Sequence, residues 1–142
     1  MLLILLKQQK LWNGNFFEKS SLHAVGLVVK LGHDGRQCVV PSPPQTVQVF
    51  DITGVHKVLI EYCNCQSQST LRFVQLLHCQ LFPSTIKRIK TAYTFEMLNT
   101  FQELSLQGKT MIYDFYHTIL NCSDPLHLEK CPVFYSSRLC SV

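Results

Sequence analysis

The sequence predicts an α+β domain: a small antiparallel β-hairpin sheet carrying a candidate zinc site, followed by two or three packed helices. Three observations carry that prediction. Val47 to Asp51 and Val55 to Tyr62 are β-rich runs on either side of Thr53-Gly54, a hairpin signal. Beyond the polar loop Gln66 to Ser69 the apolar residues change from alternation to helical spacing. The pair Cys63-Asn64-Cys65 closes the second strand downstream of His33 and Cys38, which is enough side chains for one four-ligand metal site.

The elements follow in order. Met1 to Leu11 has no capping residue and no clear period, and is expected to be a disordered or misannotated start (1–11). Trp12-Asn13-Gly14-Asn15-Phe16-Phe17 is a turn flanked by aromatics, with Trp12 expected as a core plug. Val25, Leu27, Val29 and Leu31 alternate with Gly26, Val28 and Lys30 as in a strand. Pro41-Ser42-Pro43-Pro44 forbids regular structure in the loop that follows. In the hairpin's second strand, Val58, Ile60 and Tyr62 share one face, and Leu59, Glu61 and Cys63 share the other. Val74, Leu77 and Leu81 predict a helix stopped by Pro83. Thr91 to Gln107 carries Met97, Leu98, Phe101 and Leu104 on one stripe, with Gly108 as its stop. Thr110 to Asn121 carries Met111, Ile112, Phe115, Tyr116, Ile119 and Leu120, and the two stripes should pack face to face. Past Asp124-Pro125 the pattern decays into a tail holding His127, Cys131 and Cys140.

Composition bounds the function. At 142 residues the chain is one domain, or one domain with a tail. A hydrophobic share of 46% with 15% charged residues supports a packed core rather than a disordered chain. The net charge of +4 permits nucleic-acid contact without arguing for it alone. Seven cysteines make an odd set, unlike a secreted disulfide framework. Met1 to Leu6 is too short for a membrane span, and no small-residue cleavage site follows. The expected location is therefore intracellular, the nucleus included, where clustered cysteines mean metal more often than disulfides.

Metal geometry constrains the thiol pair. Residues i and i+2 of a straight strand lie nearly ~7 Å apart, whereas two thiolates on a tetrahedral zinc approach to roughly 3.8 Å. The strand must therefore bend, and Asn64 is one of the few residue types that enter the left-handed region cheaply. Asp34-Gly35 is a turn signal that can swing His33 and Cys38 towards the same ion. His56, near the hairpin turn, is a further candidate ligand, with a surface histidine as its plainer reading. The plainer reading of the whole set is unrelated residues, since buried free cysteine is common.

Other chemistry is missing. There is no Gly-x-Gly-x-x-Gly, phosphate-binding loop or Gly-x-Ser-x-Gly elbow. The four aspartates and five glutamates form no acid–base pair at an evident spacing. His78 and Cys79 are adjacent on a helical segment and point apart, so they make no thiolate–imidazole couple. No enzyme is predicted. Arg72 and the basic knot Lys87, Arg88 and Lys90 are candidate phosphate contacts, with a solvated loop as the default for the knot.

Strung together, the motifs carry a resemblance. They are Trp12-Asn13-Gly14-x-Phe16-Phe17-Glu18, Ser21-Leu22, Gly26-Leu27, Leu31-Gly32-His33, Gly35-x-x-Cys38, Gly54-Val55-His56-x-Val58 and Cys63-x-Cys65. Gln75-Leu76-Leu77, Phe82-Pro83-x-Thr85, Lys90-Thr91-Ala92-x-Thr94-Phe95, Leu106-Gln107-x-Lys109 and Tyr113-Asp114-Phe115-Tyr116 continue the series. In this order they closely resemble the CxC-type cysteine-cluster region of KDZ transposases, mobile-element proteins abundant in mushroom-forming fungi. The resemblance covers about residues 11 to 121. It implies a structural-zinc accessory domain ahead of a separate catalytic domain with an RNase-H-like fold. His33, Cys38, Cys63 and Cys65 match the family's later His and Cys positions, and His56 is also retained. Two departures stand out. The family's earlier Cys/His cluster has no counterpart in Met1 to Leu11, and no catalytic region is present, so the chain is expected to be a fragment.

The expectation is thus a zinc-binding, non-catalytic targeting module (12–121) with a divergent tail (122–142) and DNA as its partner through Lys87, Arg88, Lys90 and Arg72. The alternatives are a protein-interaction module that contacts a transposase catalytic domain or a host protein through the Trp12/Phe16/Phe17 end, or a non-functional fragment of a decayed element. No small-molecule substrate and no membrane partner are expected.

Overall fold

The computed structural model describes residues 9–20, 26–33, 38–65 and 71–123. Seven strands and three helices occur among them: β1 Gln9–Trp12, β2 Phe17–Ser20, β3 Val28–Lys30, β4 Gln45–Asp51, β5 Gly54–Glu61, α1 Arg72–His78, β6 Leu81–Pro83, β7 Thr91–Thr94, α2 Phe95–Gly108 and α3 Ile112–Ser123. The expected α+β class holds. The expected hairpin is β4–β5, antiparallel from Gln45↔Ile60 to Asp51↔Gly54. It forms the centre of a larger mixed sheet of order β3-β5-β4-β7-β6, in which β3 runs parallel to β5 and β7 parallel to β4.

A separate two-stranded hairpin joins β1 to β2. Its turn is the one predicted: Asn13 Oδ1 accepts from the N–H groups of Asn15 (3.1 Å) and Phe16 (3.0 Å), the usual way asparagine closes a turn. Trp12, however, is 58% exposed and not a core plug. Strand β1 also begins inside the stretch expected to lack structure.

Alternation builds the main core. Val47, Val49, Val58, Ile60 and Tyr62 project from one face of the sheet and pack with Leu31, Leu76, Leu81, Ile89 and Ala92. The opposite face supplies Phe50, which packs with Met97 of α2 and Phe115 and Ile119 of α3. Aromatic pairs fill that second layer: Phe50 with Tyr93 (5.4 Å) and Tyr116 (5.8 Å), and Phe101 with Phe115 (5.2 Å). The α2 and α3 stripes therefore meet through Phe101 and Phe115 and also cover the sheet, but Leu104 and Met111, read as members of those stripes, are exposed.

Two helix boundaries differ from the sequence reading. Helix α1 ends at His78, because Gln80 adopts φ +60° and turns the chain into β6. Leu81 and Pro83 are then strand residues, and Pro83 is tolerated because β6 is an edge strand whose missing N–H breaks no ladder. The buried stripe of α1 is Gln75 and Leu76, while Val74 and Leu77 are half-buried. Thr91 to Thr94 is strand, not helix. Its Thr and Tyr residues favour extended backbone, and fully buried Ala92 packs in the core under β4. The helix starts only after Thr94, whose hydroxyl accepts from Met97 N–H at 3.2 Å as an N-cap. Helix α2 ends at Gly108 as expected, but the left-handed residue is Lys109 (φ +52°).

Asp51 ties the hairpin turn to α2. Thr94 Oγ1 donates to its Oδ1 at 2.9 Å, and Thr53 Oγ1 donates to its Oδ2 at 2.7 Å. Where the turn returns, Gly54 (φ +136°) lies against Ser123 of α3, whose hydroxyl accepts from Val55 N–H, and a Cβ at Gly54 would strike Ser123. Among the described residues no helix is long and apolar enough to cross a membrane.

Candidate metal centre

Three chain segments converge at the far end of β5 from its turn. The first leaves β3: Leu31 N–H donates to Glu61 O at 2.9 Å, continuing the parallel ladder to the doorstep of the site. Gly32 (φ +84°) and His33 (φ +48°) then turn the chain inward. Glycine is required at 32 for space as well as conformation, since a Cβ there would sit 2.7 Å from Cys63 Cβ. The second segment runs from Cys38 to Ser42 and pairs with the end of β5 through the Pro41↔Cys63 bridge. Ser42 N–H donates to Tyr62 O (2.8 Å), Tyr62 N–H to Ser42 Oγ (2.9 Å) and Asn64 N–H to Val40 O (3.1 Å). The third segment is Cys63-Asn64-Cys65 itself.

Helix α1 fixes this last segment. Gln75, buried, accepts from Cys63 N–H through Oε1 and donates from Nε2 to Cys63 O, both at 2.9 Å. One amide side chain thus satisfies both backbone groups of a ligand residue. The predicted left-handed bend at Asn64 is absent. The left-handed residues of the site are Gly32 and His33, which turn the opposing loop inward.

The ligand atoms of His33, Cys38, Cys63 and Cys65 all lie within 4.8 Å of one another. Around the set the contacts close a ring: His33 Nε2 to Cys65 Sγ 3.4 Å, Cys65 Sγ to Cys38 Sγ 3.1 Å, Cys38 Sγ to Cys63 Sγ 3.3 Å and Cys63 Sγ to His33 Nε2 3.3 Å. The sulfurs are far beyond the ~2.05 Å of a disulfide, and all three thiols are free. A ring of these edges has a centre about 2.0–2.4 Å from every atom, which suits metal–thiolate bonds of ~2.3 Å and metal–imidazole bonds of ~2.0–2.1 Å. The four residues can therefore hold one metal ion.

Electrostatics point the same way. The Cys38 thiol is lowered to about 6, chiefly by its contact with Cys65 and then by Cys63, the Val40 backbone and His33, against the opposing effect of burial. For Cys63 the Cys65 N–H favours the thiolate, but burial and the neighbouring Cys38 and Cys65 sulfurs outweigh it and push the thiol up. One thiolate forms readily and the next is resisted. A cation at the centre removes that resistance, because it binds thiolates and not thiols.

His56 does not belong to this set. It lies on β5 seven residues before Cys63, on the order of 23 Å along a strand at ~3.3 Å per residue. There its Nε2 meets Thr53 Oγ1 at 3.0 Å beside the hairpin turn. Burial there pushes its pKa down, with Asp51 acting in the opposite direction. The predicted basic residues do converge. Arg72, Lys87, Arg88 and Lys90 line one cleft of about 170 Å³ together with Gln45, Tyr62 and Ile89. Asp34 to Gln37, and the tail with His127, Cys131 and Cys140, lie outside the described residues.

Sequence reasoning did not single out Gln75 and Gly32 as parts of the site. The signal for Gln75 was an uncharged polar residue beside Leu76 on a short helix, which marks a buried amide with backbone to satisfy. For Gly32 it was a glycine immediately before a ligand histidine.

A family model, the CxC2-like cysteine cluster associated with KDZ transposases, matches residues 22–127. No curated protein and no solved structure matches the chain.

Proposed function

The chain belongs to the CxC2-like cysteine-cluster family associated with KDZ transposases, and from that premise we propose that it is a zinc-held, non-catalytic accessory module that contacts DNA. The observation carrying this reading is the closed ring of one imidazole and three thiols drawn from three separate segments. Three soft thiolates and one imidazole favour zinc among common ions, and four protein ligands leave no open position for a reacting water. The ion's role is then structural: it fastens the β3 loop, the Cys38 segment and the end of β5. A thiol enzyme is disfavoured, since burial pushes the Cys79 thiol up, away from the reactive thiolate.

The test is elemental analysis of purified protein beside Cys63→Ser. About one zinc per chain, lost in the variant, is expected. A wild-type protein purified with zinc in the medium and carrying no metal refutes the module. One observation favours a second reading, a protein-docking end: Trp12 and Phe16 are 58% and 60% exposed. Loss of partner capture in Trp12→Ala with DNA binding intact separates it from the first.

A further inference from the structure

The cleft beside the metal centre has a composition that the metal does not explain. Its lining carries four cations, Arg72, Lys87, Arg88 and Lys90, and no carboxylate. At about 170 Å³ it is smaller than the ~300–1,000 Å³ pockets that enclose drug-sized ligands, but has room for one hydrated oxyanion. Its wall includes Tyr62, a side chain only 1% exposed. The Tyr62 hydroxyl is buried without a hydrogen-bond partner among the described residues, a costly state for a donor. The Arg72 guanidinium stands over the Tyr62 ring, 5.3 Å from its centroid. Gln45 buttresses the basic loop by donating from Nε2 to Ile89 O at 3.0 Å, holding Lys87 to Lys90 against the sheet.

We propose that this cleft seats a single phosphate of a DNA strand, with Arg72 and the Lys87–Lys90 loop as its cationic clamp and the Tyr62 hydroxyl as its neutral donor. The inference rests on the DNA-contacting reading above and deepens it, since it reduces a diffuse basic surface to one built site. It also joins that site to the metal. Tyr62 precedes the ligand Cys63, and α1 carries both Arg72 in the clamp and Gln75 on the Cys63 backbone. The metal centre therefore sets the position of two of the seat's residues.

The experiment uses the full zinc-loaded chain and a short fluorescent single-stranded DNA, titrated at several salt concentrations, with inorganic phosphate as a competitor. Binding should fall with salt at a slope of about −0.7, the value for one neutralised phosphate of a single strand. Arg72→Gln should weaken binding and bring that slope towards zero. Tyr62→Phe keeps the ring and removes the orphan hydroxyl. It should bind roughly tenfold more weakly while melting no lower than wild type. The seat is overturned by absent DNA binding, by wild-type affinity in both variants, or by phosphate binding without DNA binding. Metal content measured on the same samples separates the two ideas. Full zinc with DNA binding that neither variant weakens removes the seat alone, whereas full zinc without DNA binding removes the DNA-contacting reading with it. Residue-dependent DNA binding by a chain that takes up no metal keeps the seat and overturns the module.

Discussion

Replacing Gln75 by leucine tests whether the metal centre is held from outside its ligands. The side chain is buried, and its amide closes two hydrogen bonds of 2.9 Å with Cys63, one to the N–H and one from Nε2 to the C=O. Leucine preserves much of the volume and removes both partners. A buried backbone group left unpaired costs ~1–3 kcal/mol, so the pair gives roughly 2–6 kcal/mol. The lower half of that range is expected, because the end of β5 lies close enough to the surface for some rehydration. At ~4 °C per kcal/mol for a domain of this size the melting temperature should fall by roughly 8–16 °C. Because Cys63 is the ligand so held, metal affinity should fall as well, by about 10- to 100-fold as for other outer-sphere partners. The assay is competition with a chromophoric chelator, run beside thermal melts with and without metal. Gln75→Glu is the companion variant: it keeps an acceptor for Cys63 N–H, loses the donor to Cys63 O and brings a carboxylate near three sulfurs. Wild-type chelator competition by Gln75→Leu would refute the view that α1 positions the ligand, whatever happened to its melting temperature.

Two further outcomes follow from the same coordinates. Gly32→Ala adds a Cβ 2.7 Å from Cys63 Cβ at a left-handed residue, where conformation alone costs ~1–2 kcal/mol. The variant should lose at least tenfold in metal affinity, and a crystal structure with Cys63 unmoved would contradict the packing. His56 has its pKa lowered by burial, partly offset by Asp51. The unfolded chain, with an ordinary value near 6.5, therefore takes up the proton first, so stability is full above about 6.5 and declines as pH falls through the window below it. Urea melts should show that decline, His56→Gln should flatten it, and an imidazole titrating above 6.5 by NMR would reverse the sign.

The parts of this fold that were legible in the sequence are those set by local periodicity. Val47, Val49, Val58 and Ile60 announce their faces because alternation in a half-buried hairpin leaves no other register. Phe115 and Ile119 do the same for α3 at helical spacing. Partnerships across the chain were not legible. Nothing near Val28 to Lys30 says that this strand lies parallel to β5, and although the Thr and Tyr residues of Thr91 to Thr94 favour a strand, nothing in them says that it will join β4. In the metal centre the ligand types and their order were readable, because cysteine spacing limits the chemistry. The way the ligands meet was not. The Cys63 and Cys65 sulfurs were expected to meet through a left-handed Asn64; they meet without one, and the left-handed residues, Gly32 and His33, turn the loop across the site. The metal role considered for His56 fails for the same reason: a strand separates it from the cluster, and its nitrogen serves the hairpin turn.

The two ends of the central hairpin are fastened by different chemistry, and this accounts for a cysteine cluster at one of them. At the turn end, Asp51 gathers Thr53 and Thr94, Thr53 meets His56, and Thr94 caps α2. Beside those bonds lies the aromatic layer of Phe50, Tyr93, Phe115 and Tyr116. At the other end the chain brings together a three-residue strand, a proline-rich loop and the last residues of β5. Leu31, Ile60 and Tyr62 there enter the main core, but beyond them Val39 and Val40 are exposed and the ligand segments bury little else to compensate for ordering them, each residue of which costs ~1–2 kcal/mol of backbone entropy. A metal held by His33, Cys38, Cys63 and Cys65 would supply a further term, since binding to a site that exists only when folded is itself folding free energy. Chelation should therefore act unevenly. Amide exchange should accelerate around Leu31, Val40 and Cys63, while the protection of Val49, Val55 and Phe115 stays near its starting value. Uniform loss of protection across both ends would show that the hairpin is a single cooperative unit and that the metal is no local fastening.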